Sequence, residues 1–341
     1  MKRAAASLLL SLGATVLWLA PALGQTLKIA TLAPDGTIWM KEMRKGAETI
    51  KKRTDGKVRF KFYPGGVMGT DKSVLRKMRI GQLQGGAIAS GAFADVYPDS
   101  QTYGLPMLFH SYREVNHVRS SMDEDMMKGF EQRGYVALGI AESGFAYLMS
   151  KRPVVKVEDL KGMKVWVPEG DPISRTFFEA AGRSPIPLAL SDVLTGLQTG
   201  LIETVGTPAI GAIALQWHTK VKYLTNVPVM FTYGTLVIDS RAFKRLKTEH
   251  QSIVREVLGG RIEKLNKQNR EDNANAKVAL KKHGITFVEP SQEALEHLRS
   301  IAADATRKLA GKNLYTPEVL DKLKKNLTAF RQKNNPCSAG R

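Results

Sequence analysis

Apolar residues recur with two different spacings along the chain, and these spacings predict strands that alternate with helices. An apolar residue at every second position, as in Val58, Phe60 and Phe62, predicts a half-buried strand whose charged residues face outward. An apolar residue at every third or fourth position, as in 39–50 and 115–130, predicts an amphipathic helix. The sequence therefore predicts an α/β protein.

The alternation is most regular in residues 159–208. The segment MKVWVP predicts a strand, and Asp171 followed by Pro172 predicts the first turn of a helix. Ile186 to Leu190 predicts the next strand, and Ser191 is expected to cap a second, shorter helix. The order strand, helix, strand, helix is typical of a parallel α/β layer.

The end of the first strand in this layer is the predicted position of a ligand site. Ligands of open α/β sheets bind beyond the carboxyl ends of the strands. We therefore expect residues 166–170 to form a wall of that site. Asp171 and Asp192 could be interpreted as a pair of catalytic acids, but each stands where a helix begins. We interpret both as helix caps.

A strongly charged region from Ser240 to His283 predicts one long helix. Its apolar positions keep a helical spacing, although Gly259 and Gly260 could bend or divide the helix. A helix of about 30 residues measures about 45 Å, which is longer than one small domain. We therefore expect this helix to span two lobes.

The predicted elements divide into two lobes, because the chain crosses between two halves near residues 145, 233 and 270. Lobes that are joined by several strands can close on a ligand by a hinge motion. The predicted segments are 25–145 plus 233–270 for lobe I, 146–232 plus 271–330 for lobe II, and 331–341 for a flexible tail.

Residues 1–24 predict a secretory signal peptide. A basic start is followed by an apolar stretch from Ala4 to Leu19, and Ala22 and Gly24 are small residues suited to cleavage. An uncleaved membrane anchor is the alternative, because the apolar stretch approaches the length of a membrane span. Export predicts a periplasmic location in a Gram-negative bacterium. The single cysteine, Cys337, predicts a protein without an internal disulfide.

Charge and motifs argue against two other classes of protein. The net charge of +19 could suggest nucleic-acid binding, but the basic residues are spread over most predicted helices without interleaved stacking aromatics. None of the six histidines has the spacing H-E-x-x-H, and GGVMGTDKS lacks the lysine directly after its last glycine that a phosphate loop needs. That segment predicts a turn and a helix cap. We therefore expect no nucleic-acid partner, no metal, no cofactor and no enzyme activity.

Several segments together resemble the solute-binding proteins of tripartite ATP-independent periplasmic (TRAP) transporters. They are FYPGGVMGTDKSVLRKMRIGQLQGG, YPDSQTYGLPMLF and EDLKGMKVWVPEGDP, followed by LQTG and the long helix. The resemblance extends from about Leu27 to Leu327. It implies a two-lobed fold like that of periplasmic binding proteins. It also implies that the lobes close on a solute and deliver it to a membrane permease that is driven by an ion gradient.

The residues that bind acids in this family are not kept in the chain. The resemblance implies an arginine on the strand after the DLKG turn, where Trp166 stands, and a second arginine in some members, where Ala146 stands. An asparagine of the family matches Thr207, and two polar contacts from the first lobe match Ala89 and Ala92. The predicted ligand-binding residues are Trp166, Ala146, Thr207, Glu169, Ala89, Ala92, Asp71 and Leu190.

The replacement at Trp166 changes the expected ligand. Tryptophan cannot form the paired hydrogen bonds that arginine makes to a carboxylate, but it can stack on rings. We therefore expect a neutral, aromatic or hydrophobic ligand rather than a simple dicarboxylate. In the alternative, Trp166 packs in the core and a displaced cation, such as Arg152 or Arg175, holds an organic acid. A further alternative is a periplasmic receptor that acts with a partner other than the permease, such as a helical-repeat protein.

Overall fold

The computed structural model describes residues 24–312 and 314–334. The predicted signal peptide lies outside the described residues except for Gly24, and so do residues 335–341 of the predicted tail. Residues 331–333 belong to the last helix, where the Arg331 guanidinium donates to the Glu114 carboxylate, so the predicted start of the tail is wrong. Among the described helices, none combines the length and the apolar character that crossing a membrane requires.

Strands and helices alternate along the described chain. The strands are β1 (Gln25–Thr31), β2 (Val58–Tyr63), β3 (Gly85–Ala89), β4 (Tyr135–Ser150), β5 (Trp166–Pro168), β6 (Ile186–Leu188), β7 (Thr204–Thr207), β8 (Tyr223–Asp239) and β9 (Thr286–Val288). The helices are α1 (Ile38–Arg53), α2 (Asp71–Arg79), α3 (Tyr112–Gln132), α4 (Pro172–Ala180), α5 (Val193–Thr199), α6 (Ala209–Ala214), α7 (Ser240–Lys244), α8 (Thr248–Lys282), α9 (Gln292–Gly311) and α10 (Pro317–Lys333).

One mixed sheet runs through the molecule in the order β2-β1-β3-β8-β4-β7, with β9 paired to β8. β1 is parallel to β2 and β3, whereas β8 is antiparallel to β3 and β4. β5 and β6 are parallel to each other, and a bridge between Val165 and Thr204 places β5 beside β7. Helices pack against this sheet, so the α/β class that the residue spacings predict is confirmed.

Two long strands connect the halves of the molecule. β4 has 16 residues and β8 has 17, and they pair from Tyr135 opposite Asp239 to Ser150 opposite Tyr223. The apolar residues at 136–140 and 146–150 predict two short strands, and those at 233–238 predict one more strand. Both predictions are wrong, because β4 is continuous and β8 begins at Tyr223. Between Glu142 and Gly144 the register shifts in a bulge, which bends β4 without ending it.

α8 is the predicted long helix, with 35 residues. It continues without a break through Gly259 and Gly260. The helix predicted from Ser240 to His283 is instead interrupted between α7 and α8. Near its start Val254 and Leu258 pack in one core with Leu27, whereas Leu280 near its end packs in another core with Trp217. The expectation that this helix spans both lobes is confirmed.

The predicted capping residues differ in outcome. The Asp171 carboxylate accepts from the Ile173 N–H at the start of α4, as predicted. At α2 the cap is the Thr70 hydroxyl, which accepts from the Ser73 N–H. Asp192 stands at the start of α5 without a side-chain capping bond, and Ser191 lies one position too early to cap that helix.

Candidate ligand-binding site

A cavity of about 100 Å³ lies where the two lobes meet the connecting strands β4 and β8. Residues that follow β3 form one side, and the segment from β5 into α4 forms the opposite side. The lining residues are Ser90, Gly91, Gly104, Ala146, Leu148, Trp166, Pro168, Asp171, Ile173, Ser174, Phe177, Phe178, Gly206, Val229, Met230, Phe231 and Thr232.

Local sequence determines where the wall at α4 begins. β5 ends at Pro168, and three residues later Asp171 adopts the extended backbone of a helix N-cap. Pro172 then occupies the first helical position, where its missing N–H costs nothing. The cavity therefore adjoins the carboxyl ends of β3 and β5, the edge at which α/β sheets bind ligands.

Trp166 both packs in the core and lines the cavity. Its side chain is 4% exposed, and its Nε1–H donates to the Leu188 carbonyl oxygen at 3.1 Å. Its ring meets the edge of the Trp217 ring, with centroids 5.2 Å apart and planes at 78°. The two roles that the sequence left as alternatives are thus combined in one side chain, whose orientation is fixed by core contacts.

Ala146 also lines the cavity, from β4, where it pairs with Met230 of β8. Ala146 is buried and Met230 is partly buried, and Met230 lines the cavity as well. The methyl group of Ala146 leaves space at the position where the family resemblance implies an arginine in some members. The structure therefore brings together two of the eight predicted site residues, Trp166 and Ala146.

Five of the other predicted residues do not line the cavity. Thr207 is buried at the end of β7, where its hydroxyl donates to the Pro208 carbonyl oxygen at 3.3 Å. Ala92 is buried in the core of lobe I, and Leu190 packs beside the core that contains Trp166. Glu169 and Ala89 are exposed. As ligand contacts these residues stay predictions.

Asp71, the eighth predicted residue, lies behind the cavity wall. Its Oδ2 accepts the Ala89 N–H at 3.0 Å, and its Oδ1 has no hydrogen-bond partner within the described chain. Burial raises the pKa of Asp71 to about 7, although the Ala89 hydrogen bond favours the ionised form. Because Ala89 directly precedes Ser90 and Gly91, Asp71 supports the backbone that forms the lobe I side of the cavity.

Asp171 is the lining residue that the sequence named only as a helix cap. Its Oδ1 accepts from the Ile173 N–H at 3.0 Å, and its Oδ2 accepts from the Ser174 hydroxyl at 2.5 Å. The residue as a whole is partly exposed, but burial of its carboxyl raises the pKa of Asp171, against the hydrogen bonds from Ile173 and Ser174 that lower it. Asp171 directly follows the predicted wall 166–170, and this position is the sequence feature that could have identified it as a lining residue.

Aromatic and aliphatic side chains form most of the remaining wall. Phe177 and Phe178 of α4 meet edge to face with centroids 5.4 Å apart, and Phe231 contributes from β8. The sequence missed Phe231 because it placed the start of this strand at Tyr233. None of the lining residues is Lys, Arg or His. Arg152 and Arg175, the displaced cations that the sequence offered, are exposed and lie outside the lining.

The two sides of the cavity touch at its rim. A Cβ atom added at Gly91 would lie 2.9 Å from both Cβ and Cγ of Asp171, closer than real Cβ atoms approach. Gly170 lies against Lys72, whose Cε would be 2.4 Å from a Cβ added there. The two lobes are therefore in contact beside the cavity, at Gly91 and at Gly170.

Comparison with known proteins places this geometry in a family. The sequence pattern of bacterial extracellular solute-binding protein family 7, DctP, matches residues 29–313. A solute-binding protein of Verminephrobacter eiseniae is 25% identical over 255 residues, which cover 73% of this chain and 74% of that protein. The sialic acid-binding periplasmic protein SiaP of Vibrio cholerae is 22% identical over 282 residues, 80% of this chain and 87% of its own.

Solved structures share the fold. A TRAP periplasmic solute-binding protein from Ochrobactrum anthropi is 26% identical and superposes with a TM-score of 0.79, covering 94% of this chain and all of that one. A TRAP protein from Haemophilus influenzae with bound L-gulonate is 20% identical, with a TM-score of 0.82 over 88% of this chain and 99% of that one. These neighbours confirm the two-lobed fold that the sequence motifs implied.

The family pattern covers most of the chain, and the cavity lies between two lobes as in a receptor that encloses a solute. The chain belongs to family 7 of the bacterial extracellular solute-binding proteins, the DctP family of TRAP solute receptors.

Proposed function

We propose that this protein is the extracytoplasmic receptor of a TRAP-type secondary transporter. It closes on a small solute in the cavity between its lobes and delivers that solute to the membrane permease from the periplasm. Membership of a family of solute receptors supports this function over an enzymatic one. The lobe contact at Gly91 and Asp171 supports closure as the step that encloses the solute.

The hinge of this closure lies at the long strands, where the sequence placed the division near 145 and 233. α10 modifies that division, because its Leu323 and Leu327 pack in the same core as Phe130 of α3. We therefore assign α10 to lobe I, together with 25–145 and 233–270, and leave 146–232 and α9 in lobe II. α9 packs on α4, which forms the wall of the cavity.

The ligand in this proposal is neutral, aromatic or hydrophobic, and not a simple dicarboxylate. The observation that carries it is the composition of the wall, which contains Trp166, Phe177, Phe178 and Phe231 but no cationic side chain. A carboxylate that enters such a cavity loses its hydration without gaining a paired cation, which is costly. Two relatives are named for acids, sialic acid and 2,3-diketo-L-gulonate, so this chain would differ from them.

The size of the cavity narrows the proposal further. Its volume of about 100 Å³ is of the same order as the roughly 150 Å³ apolar cavity that binds benzene in an engineered protein. A compact solute of about one ring therefore suits the arrangement in which the lobes touch.

Ligand identification tests the proposal directly. Protein purified from the periplasm under mild conditions is analysed by native mass spectrometry, and any released compound is identified by its fragmentation. A thermal-shift screen then compares neutral aromatic compounds with malate, succinate and sialate. We expect stabilisation by members of the first group only. Strong stabilisation by any of the three acids would contradict the proposed ligand class, and loss of that stabilisation in Arg175→Gln would favour the displaced cation.

A further inference from the structure

Asp171 places a carboxyl group in a wall that is otherwise mostly apolar. Its hydrogen bonds come from uncharged donors of its own helix turn, the Ile173 N–H, the Ser174 hydroxyl and the Ser174 N–H. Over the described residues, no positively charged group pairs with this carboxyl or contributes to its pKa shift. Because a carboxylate has about four acceptor positions, this carboxyl keeps the capacity for about one more hydrogen bond.

The ligand decides whether this remaining capacity is used. A purely apolar ligand would displace water from Asp171 without supplying a hydrogen bond in its place. A buried acceptor without a hydrogen bond is unfavourable. An anionic ligand would bring a second negative charge beside the carboxyl, again without a cation in the wall. A ligand that carries an O–H or N–H group replaces the lost water with a charge-assisted hydrogen bond.

This inference rests on the proposed function, because it assumes that the cavity is the solute site. We propose that Asp171 selects the polar group of the ligand, and that the ligand is a compact apolar solute bearing a hydrogen-bond donor, either a hydroxyl, an amide N–H or an ammonium group. The aromatic wall formed by Trp166, Phe177 and Phe178 holds the apolar body, and it also tolerates a cationic donor through cation–π contacts.

The position of Asp171 couples this selection to closure. The carboxyl belongs to lobe II, and it lies against the backbone of Gly91 from lobe I. A donor group bound at Asp171 is therefore at the seam where the lobes meet. When a ligand without a donor binds, closure buries the Asp171 carboxyl against Gly91 and the ligand supplies no hydrogen bond to it.

Four probes with one aromatic body test the selection. Isothermal titration calorimetry with the purified protein compares benzyl alcohol, benzylammonium, benzoate and anisole, an isomer of benzyl alcohol that has no donor. We expect at least one of the two donors to bind about tenfold or more tightly than anisole, as a hydrogen bond to a charged acceptor predicts, and benzoate to bind no better than anisole.

The matched variant is Asp171→Asn, because asparagine is as good a helix cap as aspartate but removes the charge. In this variant the preference for the donor probe over anisole should fall by about tenfold. Circular dichroism and the melting temperature check that the variant folds. Arg175→Gln, an exposed neighbour on the same helix, should leave the preference unchanged.

The outcomes separate this inference from the proposed function. Equal binding of anisole and both donors, an unchanged preference in Asp171→Asn, or no binding of any probe at millimolar concentration would overturn the role of Asp171 and leave the receptor function standing. Tightest binding of benzoate, together with stabilisation by succinate or malate, would overturn the proposed ligand class as well.

Discussion

Asp71 shows how one buried side chain acquires a property that the free amino acid lacks. Its carboxyl lies at the start of α2 with one oxygen bonded to the Ala89 N–H and the other unpaired within the described residues. Burial disfavours the charged form more than this single hydrogen bond favours it, so the pKa rises from 3.8 to about 7. The group therefore titrates close to neutral pH, next to the backbone that lines the cavity.

This shift predicts how stability depends on pH. The folded protein keeps a proton on Asp71 that the unfolded chain has released, so this contribution to stability is present below about pH 4 and is lost as pH rises to about 7. At about 1.4 kcal/mol per unit, the loss amounts to at most about 4 kcal/mol. Asp71→Asn should abolish this loss of stability with rising pH.

Urea unfolding at pH 4.5 and pH 8 measures the effect of Asp71→Asn. The variant should gain stability relative to the natural protein between the two pH values, because only the natural protein must bury a charge at pH 8. Asp55→Asn, at an exposed turn, is the control and should show no such gain. A stability difference between Asp71→Asn and the natural protein that is the same at both pH values would contradict the predicted titration.

Trp166 predicts a graded pair of substitutions. Trp166→Ala removes the ring that contacts Trp217 and should cost about 3 to 5 kcal/mol of unfolding free energy. Trp166→Phe keeps an aromatic ring but loses the donor to the Leu188 carbonyl oxygen, and should cost about 1 to 3 kcal/mol. Denaturant unfolding measures both. Equal costs would show that packing against Trp217 contributes little.

At the scale of elements, α8 is fastened to β4 where that strand passes from one lobe to the other. Three asparagines on one face of α8, Asn266, Asn269 and Asn273, bond to the backbone of β4. Their bonds reach successive positions around the bulge at Glu142 and Ser143, where the strand's own ladder is interrupted. The helix thus satisfies backbone groups that the bulge leaves unpaired.

Asn266 makes the most testable of these contacts. Its Oδ1 accepts the Glu142 N–H at 2.8 Å, and its Nδ2 donates to the Ile140 carbonyl oxygen at 2.9 Å. Asn266→Ala leaves two buried backbone groups without partners and should cost about 2 to 4 kcal/mol of unfolding free energy. Gln268→Ala, on the exposed face of the same helix, should cost less than about 0.5 kcal/mol.

Denaturant unfolding of both α8 variants provides the measurement. Similar small costs for the two would mean that water replaces the Asn266 contacts, and that α8 is held to β4 by its apolar side chains alone.

At the scale of the whole molecule, Gly91 permits the two lobes to touch. Gly91→Ala would place a methyl group 2.9 Å from the Asp171 side chain, so the closed arrangement should be disfavoured while each lobe folds normally. The affinity for a stabilising ligand should fall about tenfold or more, with a change in melting temperature of the unliganded protein below a few degrees. Gly260→Ala, where a Cβ meets nothing within 4 Å, is the matched control.

Titration with the ligand identified from the periplasm, and the distance between spin labels placed on the two lobes, measure this effect. An unchanged affinity and an unchanged closed population in Gly91→Ala would show that the lobes close without the contact between Gly91 and Asp171.

The sequence by itself determined the elements and the family. Periodic apolar positions predicted most helices and strands, and Asp171 with Pro172 predicted the start of α4, because local preferences act over a few residues. The same signals could not join the two predicted pieces of β4 into one strand, since a bulge at Gly144 resembles a turn until the partner strand is known.

Only the tertiary structure decided which residues meet in the cavity. Trp166 was predicted from its motif, whereas Asp171, Phe178 and Phe231 come together through β8 and through α4 with its N-cap. A side chain can cap a helix and line a cavity at once, and sequence spacing reveals only the first role. The physical reason is that a cavity wall is built from contacts between segments far apart in the chain, and these contacts exist only after the core has formed.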